Sequence, residues 1–258
     1  RCFTGLTPEV PSSVLQTYGL SEEKLILAKA DMSRYCAFLE LHVEQGPVLW
    51  QREIEIGIPT AIVGITRYCI TCTGKANHAG TTPMALRADA LKMAVKLLYR
   101  WYASTEDITN LVYNIGWLNI QPGSVAVVPG RVEFLLEIRS TDDNISNQAV
   151  AKFSDLVKEH DNYTMELIVQ KPAVQLAASL IDVIEEACLG AGVSYHLMPS
   201  GASHDASPIS HFMPTGMIFA PSIHGISHAQ DEFTPIDDIA RGVIVLKESL
   251  VRLGYKGS

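Results

Sequence analysis

Between residues 64 and 170 the apolar positions change period in a set order, which predicts strand, helix, strand, strand, helix, strand. Residues 64–73 read as the first strand, and over 87–102 Leu91, Ala94, Val95, Leu98 and Trp101 recur at helical spacing. Residues 111–120 predict a second strand. Over 131–139, Val132, Phe134, Leu136 and Ile138 alternate with Arg131, Glu133, Glu137 and Arg139, the pattern of a half-buried strand with Arg139 turned away from the apolar row. A second helix over 147–160 carries Val150, Phe153 and Val157, and 163–170 closes the unit with Tyr163, Met165, Leu167 and Val169 on one face. This β-α-β-β-α-β order is that of a ferredoxin-like unit.

The flanks carry a different signal. Residues 36–43 and 215–220 are short apolar runs of buried-strand type, and helices neighbour them. One helix covers 179–189 and stops at Gly190; the other covers 237–253, with acids at its start, Ile239, Val243, Leu246 and Leu250 on one face, and Gly254 past its end. The expected class is therefore α/β. Residues 1–61 and 173–258 build one α/β domain, and 62–172 form a ferredoxin-like insertion.

Composition narrows the partners. The 258 residues are 47% hydrophobic and 19% charged, enough for a sizeable core. A formal net charge of -8 disfavours nucleic acid and anionic membrane, both of which reward a Lys/Arg excess, and leaves a small molecule as the expected partner. No apolar run reaches the roughly 18 residues of a membrane span, and no leader pattern opens the chain, so a cytoplasmic location is expected. Five irregularly spaced cysteines suit a reducing compartment, and Cys69 and Cys72, three apart on a strand, face opposite ways as two packed thiols. Arg1 stands where a Met would begin a chain, which predicts a processed product or a fragment.

Four clusters carry candidate chemistry. In Glu40-Leu-His-Val-Glu-Gln-Gly46, Glu40, His42 and Glu44 fall at alternate positions at the end of an apolar strand, and burying such groups on one face is costly without a metal or a reaction. Ser200-Gly-Ala-Ser-His-Asp-Ala206 is a small-residue loop that presents His204 and Asp205 beside backbone donors. Pro221-Ser-Ile-His-Gly-Ile-Ser-His228 follows a strand, at the carboxyl edge where open α/β sheets place ligands; His228 is its candidate ligand and His224 a weaker one. Asn77-His-Ala-Gly-Thr-Thr-Pro83 sets His78 among glycine and hydroxyls, a setting for a donor to a developing oxyanion.

ELHVEQG, NHAGTTPM followed by Arg87 and Asp89, SGASHDA and GISHAQDEFT, in this order, resemble the amidohydrolase branch of the aminoacylase-type two-metal hydrolases. That branch includes N-carbamoyl-L-amino-acid hydrolases, β-ureidopropionase, allantoate amidohydrolase and ureidoglycolate amidohydrolase. The resemblance implies a partial α/β/α catalytic domain with an inserted ferredoxin-like domain that serves as lid and dimerisation unit. It implies that His42 and His228 each ligate one of two divalent ions, zinc or manganese, which acidify a water and polarise the carbonyl under attack. His78 would reach the partner's site in a homodimer to steady the tetrahedral intermediate. Arg139 would grip the substrate carboxylate, and Gln45, His204, Gly225 and Ser227 would line the pocket of a ureido or carbamoyl substrate.

The chain departs from the family pattern in two ways. An upstream His-x-Asp motif, a bridging Asp and a Glu-Glu pair are not found in it, so this chain reads as a carboxyl-terminal portion with weak or absent metal binding. Ala126 stands where the family usually has an Asn, and Ile65 replaces a polar residue. Two rival functions follow: an aminoacylase or peptidase with the same metal centre, and a non-catalytic dimerisation or binding protein.

Overall fold

The computed structural model describes residues 16–27 and 30–256. Arg1 lies outside them. Two compact units divide between Cys36 and Ala37. The first contains helix α1 (Glu22–Leu27) and a 3-10 turn at Met32–Arg34, whose start is capped where Asp31 accepts from the Ser33 N–H at 3.1 Å.

The second unit is mixed α/β and begins with strand β1 (Phe38–Val43), helix α2 (Val48–Arg52) and strand β2 (Ile56–Ile62). Then come β3 (Gly64–Thr73), a short β4 (Asn77–His78), α3 (Ala90–Thr105), β5 (Val112–Gln121), a short β6 (Val127–Val128), β7 (Arg131–Ser140), α4 (Asp143–Lys158) and β8 (Tyr163–Lys171). The chain closes with β9 (Val174–Gln175), α5 (Ala178–Ala191), β10 (Tyr195–Ser200), α6 (Ala206–Ile209), β11 (Thr215–Ala220) and α7 (Ile236–Lys256).

Four of these strands form a sheet in the order β5-β7-β3-β8, all antiparallel, which is the strand order of a ferredoxin-like unit. Helices α3 and α4 cover one face. Their core joins Trp101, Phe153, Phe134 and Leu136, with Trp101 edge-on to Phe153 at 5.2 Å. Asp89 and Asp142 start the two helices by accepting from backbone N–H groups, which sets those starts at 90 and 143. The alternation expected of 163–170 fails at Leu167, which is exposed, because the β3 to β8 register slips between Arg67 and Tyr68.

The other sheet runs β1-β11-β2-β10, with β9 added beside β2. β1 and β11 are parallel, as are β2 and β10. β11 is buried along its whole length, whereas β1 is half-buried throughout. Helices α5 and α7 pack on each other and on this sheet. Two helix ends differ from the sequence expectation. Gly190 lies inside α5, and the chain instead leaves the helix at Gly192, whose φ of +69° suits glycine. α7 likewise runs through Gly254.

Cys72 is a free buried thiol, pushed up to about 12 by that burial. Cys69 is disulfide-bonded, so the expectation of two packed thiols holds for Cys72 alone. Among the described residues no helix is long and apolar enough to cross a membrane.

Candidate functional site

β1 and β11 run side by side to the same edge, with His42 opposite Phe219 and Val43 opposite Ala220. The segments that leave them, 44–47 and 221–228, are therefore neighbours. Glu44 continues the pairing with one bond, its N–H to the Ala220 carbonyl at 2.9 Å, and its side chain then turns away. Its buried carboxylate accepts from the N–H groups of Val48 at 2.8 Å and Leu49 at 2.9 Å, capping α2. Both of its oxygens serve the backbone, so Glu44 does not share a face with Glu40 and His42 as expected.

Gln45 adopts φ +58°. Its N–H donates to Ser222 Oγ at 3.0 Å, and its amide donates to Ser227 Oγ at 3.1 Å. Glu232 takes Ser227 and the His228 N–H on its two carboxylate oxygens, at 3.2 and 2.8 Å. Gly225 is what allows the two segments to touch. It has φ +69°, and a Cβ there would lie 2.5 Å from Pro47 N. His224 stacks edge-on against Trp50 at 5.3 Å.

A cavity of about 820 Å³ opens beside these segments. Gln45, Ser227 and His228 line it from one side, Gly201 and Ser203 from another, and Arg139 from the four-stranded sheet. Arg139 spans the gap by donating to the Gly201 carbonyl at 2.7 Å. Its Nε and Nη2 rest on Glu137 Oε1 at 2.8 and 2.6 Å, and Arg67 holds the other oxygen of Glu137. Burial pushes the Glu137 carboxyl up, but hydrogen bonds from Arg67 and Arg139 outweigh it and hold the group below the usual carboxylate range. These three contacts leave two of the five guanidinium N–H groups of Arg139 for a ligand.

His204 sits elsewhere. The loop after β10 folds back so that α6 packs on β1 and β11, and this carries the His204 ring to 4.7 Å from that of His42 and 5.5 Å from Phe219. Glu40, His42 and His204 each offer a ligand atom, all within 4.8 Å of one another, and they are the group among the described residues that can hold a metal ion. His228 is not part of that group. Each member is also held by a second contact: His42 Nδ1 donates to the Val43 carbonyl at 2.8 Å, His204 Nε2 meets Ser200 Oγ at 2.7 Å, and Glu40 Oε2 accepts from the Ala206 N–H at 2.7 Å. Such outer contacts are typical of metal ligands. His204 Nδ1 is buried without a hydrogen-bond partner. Burial first, and the neighbouring His42 second, push the His204 pKa down to about 4. A donor set of two borderline imidazoles and one hard carboxylate, with one buried nitrogen unpaired, fits a divalent ion such as zinc.

His78 is exposed on β4, paired with Val127 of β6. Its Nδ1 accepts from the N–H groups of Gly80 at 3.0 Å and Thr81 at 3.2 Å, so the ring proton is on Nε2, which points a donor outward. Arg87 secures the loop by donating to the carbonyls of Thr82 and Ala79. Thus the structure gathers Gln45, Arg139, Ser227 and His228 around one cavity and places His42 with His204 and Glu40. His78 is on a separate surface, and Gly225 shapes the loop. Glu40 and His42 come together, whereas the approach of His204 to them was not expected from the sequence.

The family model described as Peptidase family M20/M25/M40 matches residues 18–252. An N-carbamoyl-L-amino-acid amidohydrolase of Paenarthrobacter aurescens is 34% identical over 235 residues, 89% of this chain and 57% of its own length. An allantoate amidohydrolase of Escherichia coli (strain K12) is 35% identical over 226 residues, 85% of this chain and 55% of its own. The crystal structure of AtUAH in complex with (S)-hydroxyglycine aligns with a TM-score of 0.81 and 29% identity, over 92% of this chain and 59% of that one. The chain thus spans between half and two thirds of the length of each.

Proposed function

The chain belongs to peptidase family M20/M25/M40, on the branch of the N-carbamoyl-amino-acid and allantoate amidohydrolases, and from that premise we propose that it serves a metal-dependent hydrolase of non-peptide C–N bonds in carbamoyl or ureido substrates. The observation that carries this reading is the cavity of about 820 Å³, where Arg139, Gln45, Ser227 and His228 converge. A guanidinium whose Nε side is fixed on Glu137 presents its remaining N–H groups in a set plane, which suits the carboxylate common to such substrates. Gln45 and Ser227, bonded to each other, supply an amide and a hydroxyl to the polar end.

His42 and His228 are the residues of this chain that would hold the two divalent ions, zinc or manganese. Such ions supply Lewis-acid polarisation of the carbonyl and acidification of water. His78, with its proton on Nε2, donates a hydrogen bond to the oxyanion from a second copy of the chain, which makes the working form a homodimer through the 62–172 insertion. The chain spans little more than half of its relatives, so the upstream motifs that supply the base and bridging carboxylate belong to the same proposal.

The test is a side-by-side assay of N-carbamoyl amino acids, allantoate, ureidoglycolate and N-acyl amino acids with zinc or manganese. Ammonium release from the carbamoyl or ureido group is expected. Turnover confined to N-acyl amino acids would overturn the reading in favour of an aminoacylase. In the active protein, Arg139→Met should raise KM for carboxylate substrates by roughly 10- to 100-fold, the loss of a charge-assisted pair.

A further inference from the structure

We propose that Glu40, His42 and His204 form a mononuclear site for a zinc-like divalent cation, complete within this chain and distinct from the pairing of His42 with His228. The proposal shares His42 with the hydrolase reading, and because His42 keeps one free nitrogen, variants at His204 and His228 tell the two apart.

The hydrogen-bond inventory around His204 carries the inference. Ser200 Oγ has one hydrogen to give, to the Ala202 carbonyl at 3.1 Å or to His204 Nε2 at 2.7 Å, and it accepts the Ala202 N–H at 3.2 Å. With that hydrogen on the carbonyl, the His204 proton sits on Nε2 and is donated to Oγ, the tautomer that a cation at Nδ1 selects. In that tautomer Nδ1 is a bare lone pair. That atom is buried and unpartnered, on a side chain only 1% exposed, and it faces Glu40 Oε1 at 3.7 Å. Two electron-rich atoms turned toward each other in a dry setting repel unless a positive charge lies between them.

His42 repeats the arrangement. Its Nδ1–H donates to the Val43 carbonyl at 2.8 Å, which leaves Nε2 as its bare nitrogen. Glu40 has one oxygen committed to the Ala206 N–H at 2.7 Å and the other free for the cluster. Three residues from two distant segments thus each spend one atom on support and keep one for a common point. Two ligands at about 2.1 Å from a tetrahedral zinc lie about 3.4 Å apart, close to the 3.7 Å between His204 Nδ1 and Glu40 Oε1. All three ligand atoms lie within 4.8 Å of one another. Three protein ligands leave a fourth position for water, as in zinc sites that perform chemistry. Glu44 cannot join, because both of its oxygens cap α2.

The experiment is a cobalt titration of the 258-residue chain after chelator treatment, read by the visible d–d bands and repeated in competition with zinc. One equivalent with a tetrahedral or five-coordinate spectrum is expected. His204→Ala and Glu40→Gln should each weaken binding by at least about tenfold, and Ser200→Ala, which removes the contact that supports His204 together with the two Oγ contacts to Ala202, by roughly 10- to 100-fold. His228→Ala should leave the isotherm unchanged. Circular dichroism checks each fold, and His204→Gln, which keeps a donor toward Ser200, replaces the alanine variant if that one unfolds. Uptake lost in His228→Ala and retained in His204→Ala, or no uptake by the folded chain, would overturn the proposal. A chain that binds one cobalt through His204 yet hydrolyses no carbamoyl substrate would instead sink the hydrolase reading and leave this site standing.

Discussion

Glu137 holds two guanidiniums at once, and its substitution by glutamine tests whether that bridge sets the position of Arg139. Side-chain exposures of 15% for Glu137, 36% for Arg67 and 31% for Arg139 place the pairs between two regimes. Exposed pairs contribute about 0.2–1 kcal/mol, whereas removal of one partner of a buried pair costs about 3–5 kcal/mol. The amide keeps the shape and one acceptor but leaves two neighbouring cations uncompensated, so Glu137→Gln should lower stability by about 2 kcal/mol. Urea unfolding, followed through the buried Trp101, should show an earlier midpoint with an unchanged slope. Removing one of the two cations in the Arg67→Met/Glu137→Gln double variant should restore part of the loss, as coupled neighbours do. The pH dependence supplies a second check. A carboxyl held below its ordinary 4.5 adds stability that is present above that value and lost as pH falls through the lower folded pKa, so the difference between wild type and variant should shrink in acid. A loss below about 0.5 kcal/mol, or a difference that persists unchanged at pH 3, would refute the bridge as the element that positions Arg139.

Three other outcomes follow from single positions. Gly225→Ala should cost about 2 kcal/mol or more, because φ is +69° and the new Cβ would lie 2.5 Å from Pro47 N; thermal unfolding measures it. His204 titrates near 4 when folded against an ordinary 6.5, so between those values the unfolded chain binds the extra proton. In the metal-stripped chain, stability should be full above pH 6.5 and fall by up to about 3 kcal/mol toward pH 4, and His204→Gln should flatten that slope in denaturant titrations across the range. His78→Ala, at an exposed position, should change stability by less than about 0.5 kcal/mol while lowering kcat of the active enzyme by roughly 100- to 1000-fold.

How far the fold is legible depends on whether alternation survives along each strand. In β7, Val132, Phe134, Leu136 and Ile138 stay in one buried row as the alternation predicts, whereas Glu133 and Leu135 on the other face are buried as well, with Glu133 paired to Arg131. β2 and β10 leave no clean strand pattern in the sequence, because Gly57, Pro59 and Pro199 interrupt them. The glycine there answers to packing, since a Cβ at 57 would meet Met198 Sδ at 2.9 Å and Phe219 Cβ at 3.0 Å. Pro59 and Pro199 sit at or beside the register shift between β2 and β10, where a ladder bond is dispensable. Helix ends are ambiguous for a related reason: Gly190 inside α5 carries the same stop signal as Gly192, and only the left-handed φ at Gly192 marks the end.

The site divides along similar lines. Gln45, Ser227 and His228 lie on segments that leave two adjacent strands, so their motifs were enough to mark them. His204 and Glu40 were harder, because their closeness depends on a loop that folds back over the sheet and on nothing periodic in the chain. The distinction between the two acids of ELHVEQG depends on what each oxygen already does. Glu44 has given both to the start of α2, and Glu40 has given one to Ala206. A carboxylate with both oxygens on backbone donors is held in place and has none left for a ligand, while one with a free oxygen facing a buried, unpartnered imidazole nitrogen is open to a cation. That difference, more than the motif's wording, singles out Glu40, His42 and His204 as the place where this chain can act on a cation.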